Sequence, residues 1–161
     1  MPKAAALNPD ITKRLDDFLA GKGLRRTKQR DVIARAAFST AEHFTAEELL
    51  DIARKIDRTT SRATVYRTLS MLVEAGLLRE VDLGLGQMCY DPNFIDHPHH
   101  NHLICLDCRK VVEFEDKHMH LLEDCITRRL GFSPASATLK IEANCEELRQ
   151  RGECKTRKAA R

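Results

Sequence analysis

Several signals that assign a protein to a class are missing from this chain of 161 residues. No run approaches the roughly 18 consecutive apolar residues that a membrane-spanning helix needs, so no membrane association is expected. The first residues lack the apolar stretch of a secretory signal, and a cytoplasmic, reducing environment is therefore expected. The chain also has no internal repeat, no H-E-x-x-H motif and no nucleophile elbow, which leaves it without common hydrolase signatures.

Hydrophobic residues make up 42% of the chain, enough for a folded core, and the length suits one domain or two small ones. The net charge of +3 is unevenly placed. Six basic residues lie between positions 22 and 35 against one acid, Asp31, and four more follow position 154. Such patches favour nucleic-acid binding, but a solvated helix face and a frayed tail would look the same.

Histidine is concentrated in one segment. Six of the seven histidines lie between positions 97 and 120, together with Cys105 and Cys108. Metal-binding side chains therefore cluster in the second half of the chain, and basic side chains cluster in the first. This asymmetry indicates two functions in one chain.

The first ninety residues predict helices followed by a hairpin. The last of these helices is predicted to expose a polar face formed by Thr64, Tyr66, Arg67 and Ser70. That arrangement is typical of a winged helix-turn-helix, whose last helix enters the DNA major groove, although an ordinary helical domain fits too. The expected elements are a helix over 11–19, helices capped by Thr27, Thr45 and Ser61, and strands over Leu77–Val81 and Gln87–Asp91.

Pro92 and Pro98 bracket a predicted hinge, and a small α+β unit of about 55 residues follows. A unit of this size is poorly stabilised alone, so metal binding or dimerisation is expected to support it. Cys89 and Cys125 are interpreted as core residues. The expected elements are strands over Leu103–Cys105, Val111–Phe114 and Ala137–Ala143, and a helix over Asp116–Leu130 with Met119, Leu122, Ile126 and Leu130 inward.

Two further patterns predict metal binding. Cys105 and Cys108 form a C-x-x-C knuckle that, with the later Cys145 and Cys154, suits a tetrahedral Zn²⁺ site. A redox C-x-x-C is the alternative, but it would need a helix N-terminus in a thioredoxin-like order.

The second pattern combines imidazoles and carboxylates. His100 and His102 are two residues apart, so they share one face of an extended segment. Asp91 and Glu113 offer carboxylates nearby, and this donor set suits Fe²⁺, Mn²⁺, Co²⁺ or Zn²⁺. Incidental surface histidines are the alternative interpretation.

These segments together resemble the ferric uptake regulator (Fur) family. The run from His99 to Cys108 matches its central motif, the run from Ala63 to Leu69 matches its recognition helix, and 23–30 matches the start of its second helix. The order and spacing agree from about Leu15 to Cys154. The resemblance implies a homodimeric, metal-dependent repressor that binds an AT-rich inverted repeat in double-stranded DNA.

The resemblance also implies roles for individual residues. It assigns structural Zn²⁺ to Cys105, Cys108, Cys145 and Cys154. It assigns a regulatory metal, Fe²⁺ or else Mn²⁺ or Zn²⁺, to His43, Asp91, His100, His102 and Glu113. It assigns DNA contacts to Arg25, Arg30, Tyr66 and Arg67. Of a further family metal site only His99 and His120 remain, because Asn101 and Ala137 occupy the other two positions.

The predicted fold class is α+β, an N-terminal winged helix-turn-helix joined to a small C-terminal α/β dimerisation domain. The predicted boundaries are 1–91 for the DNA-binding domain, 92–98 for the hinge and 99–161 for the metal-binding dimerisation domain with its basic tail. A peroxide-, zinc- or manganese-sensing member of the same family is the alternative function. A small His/carboxylate metalloenzyme is the alternative from another class.

Overall fold

A computed structural model of the protein describes residues 7–93, 95, 100–135 and 137–153. The chain divides into two compact units, Met1–Asp96 and His97–Arg161, and the division falls inside the segment 92–98 that the sequence predicts as a hinge. The predictions for Cys154, His99 and the basic tail lie outside the described residues. No helix in the described part of the chain is long and apolar enough to cross a membrane.

The first unit contains four helices and a three-stranded sheet. Three of its helices begin at the residues that the sequence predicts as caps. The side chains of Thr27, Thr45 and Ser61 each accept the backbone N–H three residues further along the chain. Thr45 and Glu48 also complete a reciprocal capping box. The helices are α1 (Pro9–Gly21), α2 (Lys28–Ala37), α3 (Ala46–Ile56) and α4 (Arg62–Glu74).

The sheet of the first unit is antiparallel, with strand order β1-β3-β2. Gly84 and Gly86, both with positive φ, form the turn of the predicted hairpin. The short strand at Phe44–Thr45 has no alternating pattern and is not predicted from the sequence. The strands are β1 (Phe44–Thr45), β2 (Arg79–Val81) and β3 (Cys89–Asp91).

One apolar core holds the helices of the first unit together. Its members come from all four helices and from the chain that leaves α4, so α4 is fixed on its inner side while its outer side stays exposed. The fully buried members include Leu15, Ile33, Leu49, Leu69, Leu72 and Leu77. A helix-turn-helix with a β-hairpin wing is thus confirmed.

The second unit is a three-stranded sheet with two helices. Strand β4 is central, antiparallel to β5 and parallel to β6. The longer helix lies in the connection between β5 and β6, so the α+β class predicted for the chain is confirmed. The elements are β4 (Asn101–Cys105), β5 (Val111–Phe114), α5 (Lys117–Arg129), β6 (Lys140–Ala143) and α6 (Glu146–Arg151).

Two predictions about α5 are wrong. None of the residues of α5 is buried, although an inward stripe is predicted. Leu122, Ile126 and the C-cap residue Leu130 are 51%, 39% and 64% exposed. Cys125, predicted as a core residue, is exposed on the same helix. Helical spacing defines an apolar face, but it does not specify whether this chain or another one covers that face. Cys89, by contrast, is buried as predicted.

Candidate metal centres and nucleic-acid interface

Three thiols come together in the second unit. The sulfur atoms of Cys105, Cys108 and Cys145 all lie within 4.8 Å of one another. Around a tetrahedral Zn²⁺ with Zn–S bonds of about 2.3 Å, sulfur atoms are about 3.8 Å apart, so these thiols fit such an ion with little movement. The fourth cysteine predicted for the site, Cys154, lies outside the described residues.

The knuckle is built by the turn that leaves β4. Cys105 ends this strand, and its N–H and C=O bond across the turn to Lys110 O and Arg109 N, both at 2.9 Å. The Cys108 N–H points at the Cys105 sulfur, 3.4 Å away. Desolvation raises the pKa of the Cys105 thiol, but hydrogen bonds from Cys108 and Asp107 outweigh it, so the pKa is lowered. A lowered pKa favours the thiolate that binds metal.

Imidazoles and a carboxylate come together on β4 and β5. His100 and His102 are 5% and 3% exposed, and their ring centroids are 4.8 Å apart. His102 lies opposite Glu113 in the strand register, and a Glu113 oxygen lies within 4.8 Å of a His100 nitrogen. Buried imidazoles beside a half-buried carboxylate are characteristic of metal ligands.

The first unit carries the other two predicted ligands of the regulatory site. His43 immediately precedes β1, and Asp91 ends β3. Because these strands are antiparallel and Phe44 pairs with Tyr90, His43 and Asp91 lie next to that pair at the same end of the sheet. A nitrogen of His43 and an oxygen of Asp91 lie within 4.8 Å of each other. Asp91 is fully buried, and its Oδ1 accepts the Asn93 N–H at 2.8 Å.

The outer face of α4 is the candidate nucleic-acid interface. Tyr66 and Arg67 are exposed on it, as the sequence predicts, and the β2–β3 wing follows. Glu47 of α3 adds a feature that no sequence motif indicates. Its carboxylate accepts Arg62 Nη2 at 2.8 Å and the Tyr66 hydroxyl at 3.3 Å.

The basic segment before α2 divides into two kinds of residue. Arg26 is held within the fold by Asp31 at 2.6 Å and Asp16 at 2.8 Å. Arg25 is exposed, and Arg30 donates to its backbone carbonyl. Arg25 and Arg30, which the sequence predicts as DNA contacts, therefore lie together at the start of α2.

The predicted weak metal site differs from the other two. His99 lies outside the described residues, and His120 is exposed, with Nδ1 3.6 Å from a Glu123 oxygen. The Asn101 side chain is buried and accepts the Leu139 N–H at 2.9 Å. That amide therefore joins β4 to the segment before β6, and Ala137 offers no ligand atom.

The sequence profile of the Ferric uptake regulator family matches residues 21–142. The chain belongs to the ferric uptake regulator family. The ferric uptake regulation protein of Campylobacter jejuni is 30% identical to it over 151 residues, which span 92% of this chain and 91% of that protein. These matches cover both of the compact units.

Solved structures agree with this assignment. The ferric uptake regulator of Helicobacter pylori, a structure with three functional metal binding sites, matches with a TM-score of 0.81 and 25% identity, over 97% of this chain and 100% of that one. A zinc-bound manganese uptake regulator matches with a TM-score of 0.66 and 32% identity, over 82% and 98%.

Membership in the Fur family decides between the classes that the sequence leaves open. Its members are metal-responsive transcriptional regulators and not enzymes, so the predicted regulator function is confirmed and the metalloenzyme alternative is wrong.

Proposed function

We propose that this Fur-family chain is a dimeric repressor that binds operator DNA when a regulatory Fe²⁺ is bound. The observation that carries the proposal is the pair of buried imidazoles, His100 and His102, beside Glu113 in a chain whose other unit exposes a recognition helix. The predicted division supports it, with DNA binding in 1–91, a hinge over 92–98, and metal binding and dimerisation in 99–161.

The regulatory metal takes its ligands, in this proposal, from both units. Imidazole and carboxylate donors suit Fe²⁺, Mn²⁺ and Zn²⁺ alike, and the similarity to a zinc-bound manganese uptake regulator keeps Mn²⁺ and Zn²⁺ as alternatives. A metal that binds one inter-domain geometry better shifts the population toward that geometry. The proposed ligands are His43, Asp91, His100, His102 and Glu113.

The structural metal is proposed to be Zn²⁺. The sulfur separations of Cys105, Cys108 and Cys145 fit it, and Cys154 is proposed as the fourth ligand. When bound, this ion would tie the end of β4 to the segment after β6. It would so support a unit that has few buried apolar residues among those the structure describes.

DNA recognition is proposed to use the exposed face of α4. Arg67 and Tyr66 would contact base edges or thymine methyl groups, and Arg25 and Arg30 would contact phosphates. The proposed operator is an AT-rich inverted repeat, because the two recognition helices of a dimer reach successive major-groove faces.

Fluorescence anisotropy with an AT-rich inverted-repeat duplex tests the proposal. Fe²⁺, Mn²⁺ and Zn²⁺ would be titrated separately without oxygen, and peroxide would then be added to the Fe²⁺ sample. DNA binding that needs Fe²⁺ and survives brief exposure to peroxide supports iron sensing. Loss of DNA binding only in the Fe²⁺ sample treated with peroxide supports peroxide sensing. Absence of metal-dependent binding to this duplex and to a GC-rich control would contradict the repressor function.

Two variants separate the sites in the same experiment. His100→Ala is expected to abolish metal dependence, and Arg67→Ala is expected to weaken metal-loaded binding at least about tenfold, as for loss of one base contact. His118→Ala, an exposed histidine on α5, is the matched control and is expected to behave like the parent protein. Unchanged metal dependence in His100→Ala would show that the regulatory ligands are assigned wrongly.

A further inference from the structure

Asp107, one of the two residues between the knuckle cysteines, has a side chain that reaches the third cysteine. An Asp107 oxygen accepts the Cys145 backbone N–H at 2.6 Å. The amide nitrogen of Asn144 lies 3.4 Å from the same oxygen and 3.5 Å from the other one. One carboxylate therefore joins the C-x-x-C turn to the segment that carries the third thiol.

This bond continues the pairing of β4 with β6. In that parallel pair Cys105 lies opposite Ala143, and the next contact is the Leu106 N–H to Ala143 O at 2.8 Å. The register of the two strands ends at Cys105 and Ala143. The Asp107 carboxylate supplies the next link along the same two segments.

Cys145 needs such an acceptor because of its position. It is the N-cap of α6, yet its side chain makes no capping hydrogen bond. An N-cap residue has no helical partner for its own backbone N–H. The carboxylate satisfies that N–H and leaves the sulfur directed toward Cys105 and Cys108.

We infer that Asp107 is a positioning residue of the thiolate site, which holds Cys145 in place before the metal binds. The inference rests on the proposed Zn²⁺ site. Preorganised ligands lose less conformational freedom on binding, and partners outside the first coordination shell commonly change metal affinity 10- to 100-fold. The hydrogen-bond acceptor is what matters here, because the negative charge of a carboxylate beside thiolates adds repulsion.

Zinc affinity measured by chelator competition tests the inference on the full-length chain. Asp107→Ala is expected to weaken Zn²⁺ binding about 10- to 100-fold. Asp107→Asn keeps an oxygen acceptor at the same position and is expected to remain within a few-fold of the parent. Asp82→Ala is the matched control, because Asp82 also accepts a backbone N–H, that of Gly84 at 2.8 Å, but lies in the wing.

Cobalt substitution provides a readout that a general loss of stability would not reproduce. The thiolate charge-transfer and d–d bands of bound Co²⁺ are expected to weaken in Asp107→Ala and to recover in Asp107→Asn. If Asp107→Ala does not fold, Asp107→Glu displaces the carboxylate by one methylene and is expected to lose affinity as well.

Each outcome separates the inference from the zinc site itself. Parent-like affinity and parent-like cobalt bands in Asp107→Ala, or in Asp107→Glu if that variant is needed, would overturn the role of Asp107. Equal losses of Zn²⁺ affinity in Asp107→Asn and Asp107→Ala would show that Asp107 does not act as a hydrogen-bond acceptor. A parent protein that binds no Zn²⁺ under chelator competition would instead contradict the proposed thiolate site.

Discussion

Arg109 adopts a backbone conformation that L-residues rarely occupy. Its φ is +61°, and it is the only residue other than glycine in the described part of the chain with a positive φ. The turn that brings Cys108 back toward Cys105 requires this angle, since the Arg109 N–H closes onto the Cys105 carbonyl at 2.9 Å. A left-handed residue with a Cβ costs about 1–2 kcal/mol, and the knuckle geometry compensates for that cost.

Arg109→Gly is expected to stabilise the protein by about 0.5–1 kcal/mol. The relief of strain at positive φ exceeds the extra entropy of glycine in the unfolded chain. Urea denaturation at fixed protein and zinc concentrations measures the change. Arg109→Ala is the control, because it removes the guanidinium but keeps the Cβ. An equal increase in the free energy of unfolding of that variant would show that the effect comes from charge and not from backbone strain.

At the scale of elements, α3 begins with a reciprocal cap. The Thr45 hydroxyl accepts the Glu48 N–H at 3.2 Å, and a Glu48 oxygen accepts the Thr45 N–H at 2.9 Å. Thr45 is also part of β1, so this one residue ends a strand and starts a helix.

Thr45→Ala is expected to lower the free energy of unfolding by about 1 kcal/mol, because the Glu48 N–H loses its side-chain acceptor and the hydroxyl no longer bonds the Glu48 carboxylate. Thr45→Ser keeps the hydroxyl and is expected to lower the free energy of unfolding much less. Urea midpoints of the two variants, measured beside the parent protein, decide this, and equal midpoints for Ala and Ser would contradict the capping role.

An acidic residue of α3 lies beside the exposed face of α4, the candidate DNA-binding face. Glu47 accepts hydrogen bonds from Arg62 and Tyr66, and its side chain is 42% exposed. An exposed ion pair of this kind contributes little to folding stability. Its effect is instead expected on DNA, because a carboxylate near phosphates opposes binding that depends on charge alone.

Glu47→Gln is expected to increase affinity for a random duplex several-fold and to steepen the salt dependence by up to about one unit. The ratio of the affinity for operator DNA to the affinity for a random duplex would therefore decrease. Anisotropy titrations across a range of salt concentrations measure both quantities. Glu146→Gln, an exposed change in the second unit, is the control, and unchanged random-duplex affinity in Glu47→Gln would contradict the prediction.

At the scale of the whole molecule, the two units differ in how they are stabilised. The first has an extensive apolar core, whereas the described buried apolar residues of the second are Ile104, Cys105 and Cys108. Its α5 instead leaves Leu121 and Leu122 exposed. An exposed apolar face of this kind indicates an interface. Because the α/β domain of this family is a dimerisation domain, we expect a second copy of the chain to cover it.

Leu122→Glu is expected to weaken self-association at least about 30-fold, since it places an uncompensated charge in the apolar face. Sedimentation velocity across a concentration series measures the change. Lys117→Glu, at the start of the same helix and outside the apolar stripe, is expected to leave association unchanged. Parent-like dimers of Leu122→Glu would place the interface elsewhere.

Sequence alone determined the features that depend on neighbours within about four residues. Helix starts at Thr27, Thr45 and Ser61, and the C-x-x-C turn, follow from bonds between residues close in the chain. The apolar period likewise predicted which side of α4 is buried and which side exposes Tyr66 and Arg67. The family resemblance could be identified because each of its three motifs is a run of adjacent residues.

Only the tertiary structure decided the contacts between distant segments. Cys145 joins the knuckle because β6 pairs in parallel with β4, and β1 exists because β3 offers it a partner. Asp107 acts on a residue 38 positions away, and no local pattern encodes that bond. The apolar face of α5 was predictable, but its exposure was not, because periodicity specifies a face and only the assembled chain specifies what remains to cover it.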